Sequence, residues 1–253
     1  MINTQAIIAR IDTKYKKLHN HRSLPITLVR NFEECLAIKY TYHSNALEGN
    51  SLSLSETALV IEHGITIGGK TVREHLEAIN HAQAIEFIKE ISHKKTTEIA
   101  LDDILAIHKI ILQKNDDLNA GTFRKVAVRI TGSPTSFPNY AKVPLLMVDF
   151  MQWLHTTYDH PTLIAALAHF KLVTIHPFID GNGRTARLLM NLILLQHGYP
   201  LAIIKKENRA AYIAAIENAR ETENFEPFYH IVLAAIEESL DNYLQAIAES
   251  DLS

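Results

Sequence analysis

The sequence predicts a mainly α-helical domain carrying one small β-hairpin, and three observations lead there. Apolar residues recur at helical spacing along most of the 253 positions. They make up 47% of the chain, against only nine glycines and eight prolines, so a large core is available and long flexible stretches are not expected. A single segment, 121–143, departs from this pattern and alternates at a period of two.

The elements follow in order. Residues 3–20 place Ile7, Ile8, Ile11, Tyr15 and Leu18 on one helical face before Ser23-Leu-Pro25 interrupts them. A second helix runs from about Thr27 to Leu47 and stops before Gly49; its apolar run Phe32-Glu-Glu-Cys-Leu-Ala-Ile assigns Cys35 to the core. Ser53 or Ser55 caps a short helix ending near Gly64, and Gly68-Gly-Lys turns into a helix over 72–91 with Leu76, Ile79, Ala82, Ala84, Phe87 and Ile88 inward. Residues 101–113 form another, capped by Asp102 or Asp103. The alternating Phe123-Arg-Lys-Val-Ala-Val-Arg-Ile-Thr131 leads into the turn-rich Gly132–Tyr140 and reads as a hairpin or flap. Helices resume at 144–157, 162–175 and 183–197, the last closed by Gly198, and end with 207–220 and 226–249. Residues 1–97 read as an N-terminal helical region and 98–253 as the part carrying the chemistry.

Composition narrows the function. A formal charge of −3 without clustered Lys and Arg gives no nucleic-acid face. Cys35 is the one cysteine, which excludes a disulfide framework and a cysteine-based metal site. With no leader-like opening and no run of 18 apolar residues, a soluble, cytoplasmic protein without a membrane partner is expected.

Chemistry concentrates in His176-Pro-Phe-Ile-Asp-Gly-Asn-Gly-Arg-Thr-Ala-Arg187. Gly181-Asn182-Gly183 lies just ahead of a helix start, where backbone N–H groups and the helix dipole make an anion site suited to nucleotide phosphates. Arg184 and Arg187, three apart on the first turn, can reach the same phosphate chain; arginines there oppose the dipole, a conflict that bound anions remove. Asp180 is a lone carboxylate placed to hold Mg²⁺ beside phosphates. His176 is the one group in the segment that titrates near neutrality, and so the candidate base for a hydroxyl nucleophile. Taken singly, most of the 14 histidines are surface or core residues, and a glycine-flanked turn means only a tight connection. The conjunction is what points to phosphoryl or nucleotidyl transfer.

The segment resembles the motif of the Fic family, His-Pro-Phe-x-Asp/Glu-Gly-Asn-Gly-Arg-x-x-Arg, at every specified position, and the likeness extends over about residues 30–240. It implies a Fic-type helical bundle whose core lies in 98–253, and transfer of AMP from ATP to a hydroxyl side chain of a target protein. His176 would be the base, Asp180 the Mg²⁺ ligand, and Asn182 with the neighbouring amides of Gly181 and Gly183 the phosphate binder. Arg184 and Arg187 would hold the outer phosphates. An intact Gly183 favours nucleotidyl transfer over the phosphorylation of the related Doc kinases, which carry lysine there. Tyr212 and Asn218 fall where relatives contact adenine, and Ile130, Thr131 and Gly132 at the centre of a flap that aligns the target by strand addition, with Phe137 and Pro138 as clamps. An ordinary edge hairpin is the structural alternative for that segment.

A second motif, Ser44-Asn-Ala-Leu-Glu48-Gly49, would alone be a helix terminus with an exposed glutamate. It resembles the inhibitory motif of Fic proteins, in the class whose inhibitory helix (here about 27–48) precedes the core. The resemblance implies an ion pair between Glu48 and Arg187 that blocks productive ATP binding, and in some relatives the same glutamate positions water to remove AMP. Thr71–His81 also looks Fic-like and reads as packing for that helix. Three functions follow: an autoinhibited adenylyltransferase acting on a Ser, Thr or Tyr hydroxyl of another protein or of itself; a mainly de-AMPylating enzyme, or a transferase of another nucleotide; and a non-enzymatic, nucleotide-sensing partner-binding protein. A homo-oligomer is compatible with each.

Overall fold

The computed structural model describes residues 3–20, 26–129 and 135–250, and among them the chain is helical with no sheet. Ten helices follow in order: α1 (Thr4–Asn20), α2 (Ile26–Leu47), α3 (Leu54–His63), α4 (Val72–Ile91), α5 (Leu101–Leu112), α6 (Val143–Thr156), α7 (Pro161–Ile175), α8 (Asn182–Gln196), α9 (Arg209–Thr222) and α10 (Glu226–Ser250). At the centre, α7 and α8 pack on each other, joined by a six-residue loop that folds one back along the other. Both are buried almost all round, which is why Leu163–Val173 and Leu188–Leu194 are nearly continuous apolar runs. Around this pair α5 and α4 pack on α8, α6 and α10 on α7, and α1 covers α10; α2 and α3 lie over α4.

Local chemistry sets the helix ends. Ser53 and Thr71 each complete a capping box, with Glu56 and Glu74 respectively. Gly64 ends α3 in the left-handed region. The end of α8 is a Schellman motif: the Tyr199 N–H reaches the Leu194 carbonyl at 3.0 Å and the Gly198 N–H that of Leu195 at 2.9 Å, with Gly198 at φ 76°. Helix α5 differs from expectation, since neither Asp102 nor Asp103 is its N-cap. Ala100 holds that position, and Asp103, three residues on, accepts the Ala100 N–H at 2.8 Å.

Three other expectations change. Cys35 is exposed, because α2 turns the opposite side, with Leu36 and Tyr40, to the core. The buried face of α4 is only partly the apolar one read from the sequence: Ala84 and Ile88 are buried as expected, together with Glu77, Ala78, Asn80, His81 and Ile85, whereas Leu76, Ile79, Ala82 and Phe87 are only partly covered. This helix is packed by α2, α3, α5 and α8 at once, and its polar stripe serves three of them. Glu77 lies 3.4 Å from Arg184 of α8, Asn80 donates to the Ile111 and Gln113 carbonyls at the end of α5, and His81 Nδ1 lies 3.1 Å from Thr41 Oγ1 of α2. The hairpin is reduced, among the described residues, to one antiparallel bridge between Arg129 and Ser136. The segment is held by side chains and not by a ladder. The buried Arg124 donates to the carbonyls of His176 (2.8 Å), Val126 (3.0 Å) and Pro138 (2.6 Å), and its own N–H to that of Pro177 (2.9 Å).

Candidate active site

The loop between α7 and α8 is rigid for reasons visible in its residues. His176 ends α7 at φ 51°, a left-handed conformation costly for a side-chain-bearing residue, and Arg124 fixes its carbonyl. Phe178 is fully buried and stacks on His108 of α5 with ring centroids 3.6 Å apart. The Asn182 side chain accepts the Phe178 N–H and donates to the Phe178 carbonyl, both at 3.0 Å. Its acceptor and one donor are therefore spent on shaping the loop. What Asn182 offers an anion is its backbone N–H, which with that of Gly183 belongs to the first turn of α8, where intrahelical partners are lacking.

His176 lines a cavity of about 320 Å³. Its Nδ1 lies 3.3 Å from the Val173 carbonyl, an acceptor, so Nδ1 carries the hydrogen and Nε2 the lone pair. Burial pushes its pKa down to about 4, with Arg124 and Arg220 acting in the same direction, so the ring is neutral at pH 7. Phe137 stacks on it at 3.9 Å, and the Arg220 guanidinium lies over the Phe137 ring at 5.2 Å from its centroid.

The two arginines of the motif diverge. Arg187, 1% exposed, lines the cavity and points to α2: Nε donates to Ser44 Oγ at 3.0 Å, and Nη2 to the Ser44 carbonyl at 2.9 Å and to Glu48 Oε1 at 2.7 Å. Arg184 turns towards α4, 3.4 Å from Glu77 Oε1 and 3.4 Å from Asp180 Oδ2, and does not line the cavity. Spacing of three separates them by about 60° around the helix, enough to aim them at different neighbours. Gly183 makes this arrangement sterically feasible. A Cβ there would overlap Glu48 Oε1 and come within 3.0 Å of Arg187 Nη1. Asp180 Oδ1 accepts the Gly181 N–H at 2.6 Å, while Oδ2 is held by Arg73 at 2.7 Å. Burial works against the Asp180 charge, but Arg184, the Gly181 N–H and Arg73 outweigh it and lower the pKa.

Tyr212 also lines the cavity, with its hydroxyl committed to His169 at 2.7 Å. Asn218 lies outside the lining, where its neighbours Glu217 and Arg220 are found instead, because these fall on the cavity face of α9. Ile130, Thr131 and Gly132 lie outside the described residues.

The sequence reading passed over several residues. His108 takes the Gly121 N–H on Nδ1 (2.9 Å) and donates from Nε2 to the Asp180 carbonyl (3.0 Å), and burial lowers its pKa to about 4. A histidine amid Ile104, Ile107 and Ile111 was the available signal. Arg209 donates to the Leu47 carbonyl at 2.9 Å, at the C-terminal end of α2. Arg73 and Glu77 lay inside Thr71–His81, which does pack α2: Asn45 donates to the Glu77 carbonyl at 3.1 Å, and Thr41 Oγ1 lies 3.1 Å from His81 Nδ1.

This arrangement agrees with what the chain is similar to. A description of the Fic/DOC family matches residues 98–194. The chain is 37% identical over 258 residues to protein adenylyltransferase fic-1 of Caenorhabditis elegans, covering 98% of this chain and 50% of that protein. It is 37% identical over 243 residues to protein adenylyltransferase Fic of Culex quinquefasciatus, covering 95% and 48%. It thus spans about half the length of the curated relatives it matches. A solved structure of Fic-1 from C. elegans superimposes with a TM-score of 0.88 at 35% identity, over 98% of this chain and 73% of that one. A Fic domain-containing signaling protein from Bacteroides thetaiotaomicron does so at 0.84 and 26%, over 95% and 96%. The chain belongs to the Fic/DOC family.

Proposed function

We propose that this member of the Fic/DOC family is a protein adenylyltransferase that moves AMP from ATP to a hydroxyl side chain of a target protein, and that Glu48 holds it in check. The observation that carries the proposal is the content of one cavity: a neutral histidine with its Nε2 lone pair available, the first turn of α8, Asp180, and an arginine closed off by Glu48.

In the reaction the target hydroxyl gives its proton to His176 Nε2 while its oxygen attacks the α-phosphorus. The bond from that phosphorus to the bridging oxygen breaks, and pyrophosphate leaves with the electron pair. The N–H groups of Asn182 and Gly183 would hold the phosphates at the N-terminus of α8, and Arg187 would take the γ-phosphate once Glu48 withdraws. Asp180 fits a hard divalent cation such as Mg²⁺. It is a carboxylate 43% exposed in side chain, lining the cavity, with one oxygen already oriented by a backbone N–H. Among the described residues no group of three or more His, Cys, Asp or Glu could hold a metal, so phosphate and water oxygens would complete the shell. The cation would supply neutralisation of the phosphate charge.

The brake works by occupancy. With Glu48 on Arg187, a carboxylate stands where the γ-phosphate would bind, and ATP is left with a non-productive pose. A second reading, removal of AMP from a modified target, draws support from the same residue. Only Glu48 Oε1 is bonded among the described residues, which leaves Oε2 able to orient a water.

The test is transfer of α-labelled ATP to protein by the wild type, Glu48→Gly and Glu48→Gly/His176→Ala with Mg²⁺. Strong labelling in Glu48→Gly, little in wild type and none in Glu48→Gly combined with His176→Ala is expected. Equal labelling in wild type and Glu48→Gly would remove the brake from the proposal, and labelling that survives loss of His176 would remove the base.

A further inference from the structure

We infer that Arg73 is a latch on the cation position: it occupies the open oxygen of Asp180 until a divalent cation arrives with nucleotide phosphates and displaces it. The inference rests on the reading of Asp180 as the cation's carboxylate. Its basis is the division of that side chain's two oxygens. Oδ1 is taken by the Gly181 N–H at 2.6 Å, whereas Oδ2 accepts from Arg73 Nη2 at 2.7 Å, with Arg184 Nη2 further off at 3.4 Å. A cation bound at Oδ2 would meet the guanidinium, a like charge, within a few ångström, and that repulsion drives the Arg73 contact apart on loading.

The surroundings suit a part that moves. The Arg73 side chain is 64% exposed, so release returns it to water without opening the core. Its Nε also donates to Glu77 Oε1 at 3.1 Å, one helical turn along α4, and this second partner keeps the arginine nearby after release. Arg184, behind them, is 2% exposed and 3.4 Å from both carboxylates, so it stays as a fixed positive wall. Two arginines and two carboxylates form a cluster balanced in charge. A bare dication would leave it strongly positive, whereas a dication carried by the anionic phosphate chain would not. The latch therefore favours joint entry of cation and nucleotide over the cation alone. Glu77 also accepts from Asn50 Nδ2 at 2.9 Å, so the carboxylate that parks Arg73 also anchors the chain two residues beyond Glu48.

The experiment measures the factor by which Mn²⁺ tightens binding of a non-hydrolysable ATP analogue, by calorimetry. It compares Glu48→Gly, Glu48→Gly/Arg73→Gln and Glu48→Gly/Asp180→Ala, so that Glu48 does not obstruct the phosphates. An ion pair with both partners partly in solvent is weak, so removing Arg73 should enlarge the Mn²⁺ factor by about two- to fivefold. Asp180→Ala should bring the factor close to one. An unchanged or smaller factor in Arg73→Gln, with the factor lost in Asp180→Ala, would overturn the latch and leave Asp180 as ligand. A factor retained in Asp180→Ala would overturn the reading beneath it, and the latch with it. A crystal structure of the Mn²⁺–analogue complex separates displacement from a general charge effect: Arg73 should have left Asp180 Oδ2, and finding it still bonded there with the cation bound would end the proposal.

Discussion

Gly183 and Glu48 should be coupled, and the coupling can be worked from their geometry. Gly183 sits in the first turn of α8 with no positive φ, so the backbone there accepts alanine, and a helix gains up to about 1 kcal/mol from that change. The added Cβ nevertheless overlaps Glu48 Oε1, so the carboxylate must leave Arg187. Removing one partner from a fully buried pair costs about 3–5 kcal/mol, and an exposed pair contributes about 0.2–1 kcal/mol. Here Arg187 is 1% exposed and Glu48 39%, and Arg187 keeps both contacts with Ser44, so about 1–3 kcal/mol is expected. Glu48→Ala alone should lose that amount. Gly183→Ala should lose the same, less its helix gain. The double variant should be no less stable than Glu48→Ala, because the clash has gone, giving a coupling energy of about 1–3 kcal/mol in a urea-denaturation cycle. Additivity of the two substitutions within about 0.5 kcal/mol would show that Glu48 does not occupy the space over Gly183 in solution.

Other outcomes follow from the same contacts. Asn191, fully buried, joins α8 to Ala202 through bonds of 2.7 and 3.1 Å, so Asn191→Ala should cost about 2–4 kcal/mol and lower the melting temperature by about 4–16 °C; a calorimetric scan within 2 °C of wild type would contradict this. In the Glu48→Gly variant, kcat/KM for the target should hold from pH 8 to about 5 and fall towards pH 4, because His176 must be neutral to act and its pKa is lowered by burial to about 4. An acid limb near 6.5 would count against that burial. His81, His108 and His169 are likewise kept neutral by burial, the last two with pKa values lowered to about 4 and about 3. Their contribution is fully present above pH 6.5 and lost as pH falls through the window below it, each histidine removing up to about 1.4 kcal/mol per pH unit; urea midpoints constant from pH 7 to 5 would refute it. Arg209→Ala should raise amide exchange at residues 45–48 by about tenfold or more, through loss of one charge-assisted bond to the Leu47 carbonyl, and unchanged exchange would show that bond to be idle.

Much of the fold was legible because its signals are local. The boundaries of α3 and α4 are written in Ser53, Glu56, Thr71 and Glu74, and the end of α8 in Gly198, where hydrogen bonds within a few residues settle the backbone. The motif 176–187 was legible for a similar reason, since a histidine, a carboxylate, two glycines and two arginines in one connection have few other uses. Which side of a helix faces which neighbour was not legible. Cys35 and the polar stripe of α4 were misjudged because burial depends on the elements that arrive from elsewhere, and α4 has four of them.

The sequence by itself determined the helical class, the element order and the inventory of reactive groups, all consequences of spacing along one chain. The Arg187–Glu48 pair was already implied by the resemblance of the two motifs, and the contacts of Arg184 with Asp180 and of Asn182 with Phe178 join residues four apart. Tertiary structure alone decided that Arg184 also meets Glu77 and that Arg73 reaches the carboxylate 107 positions away. A charged group in a packed interior pairs with whatever opposite charge the fold brings within about 3 Å, and that distance is not encoded in the separation along the chain.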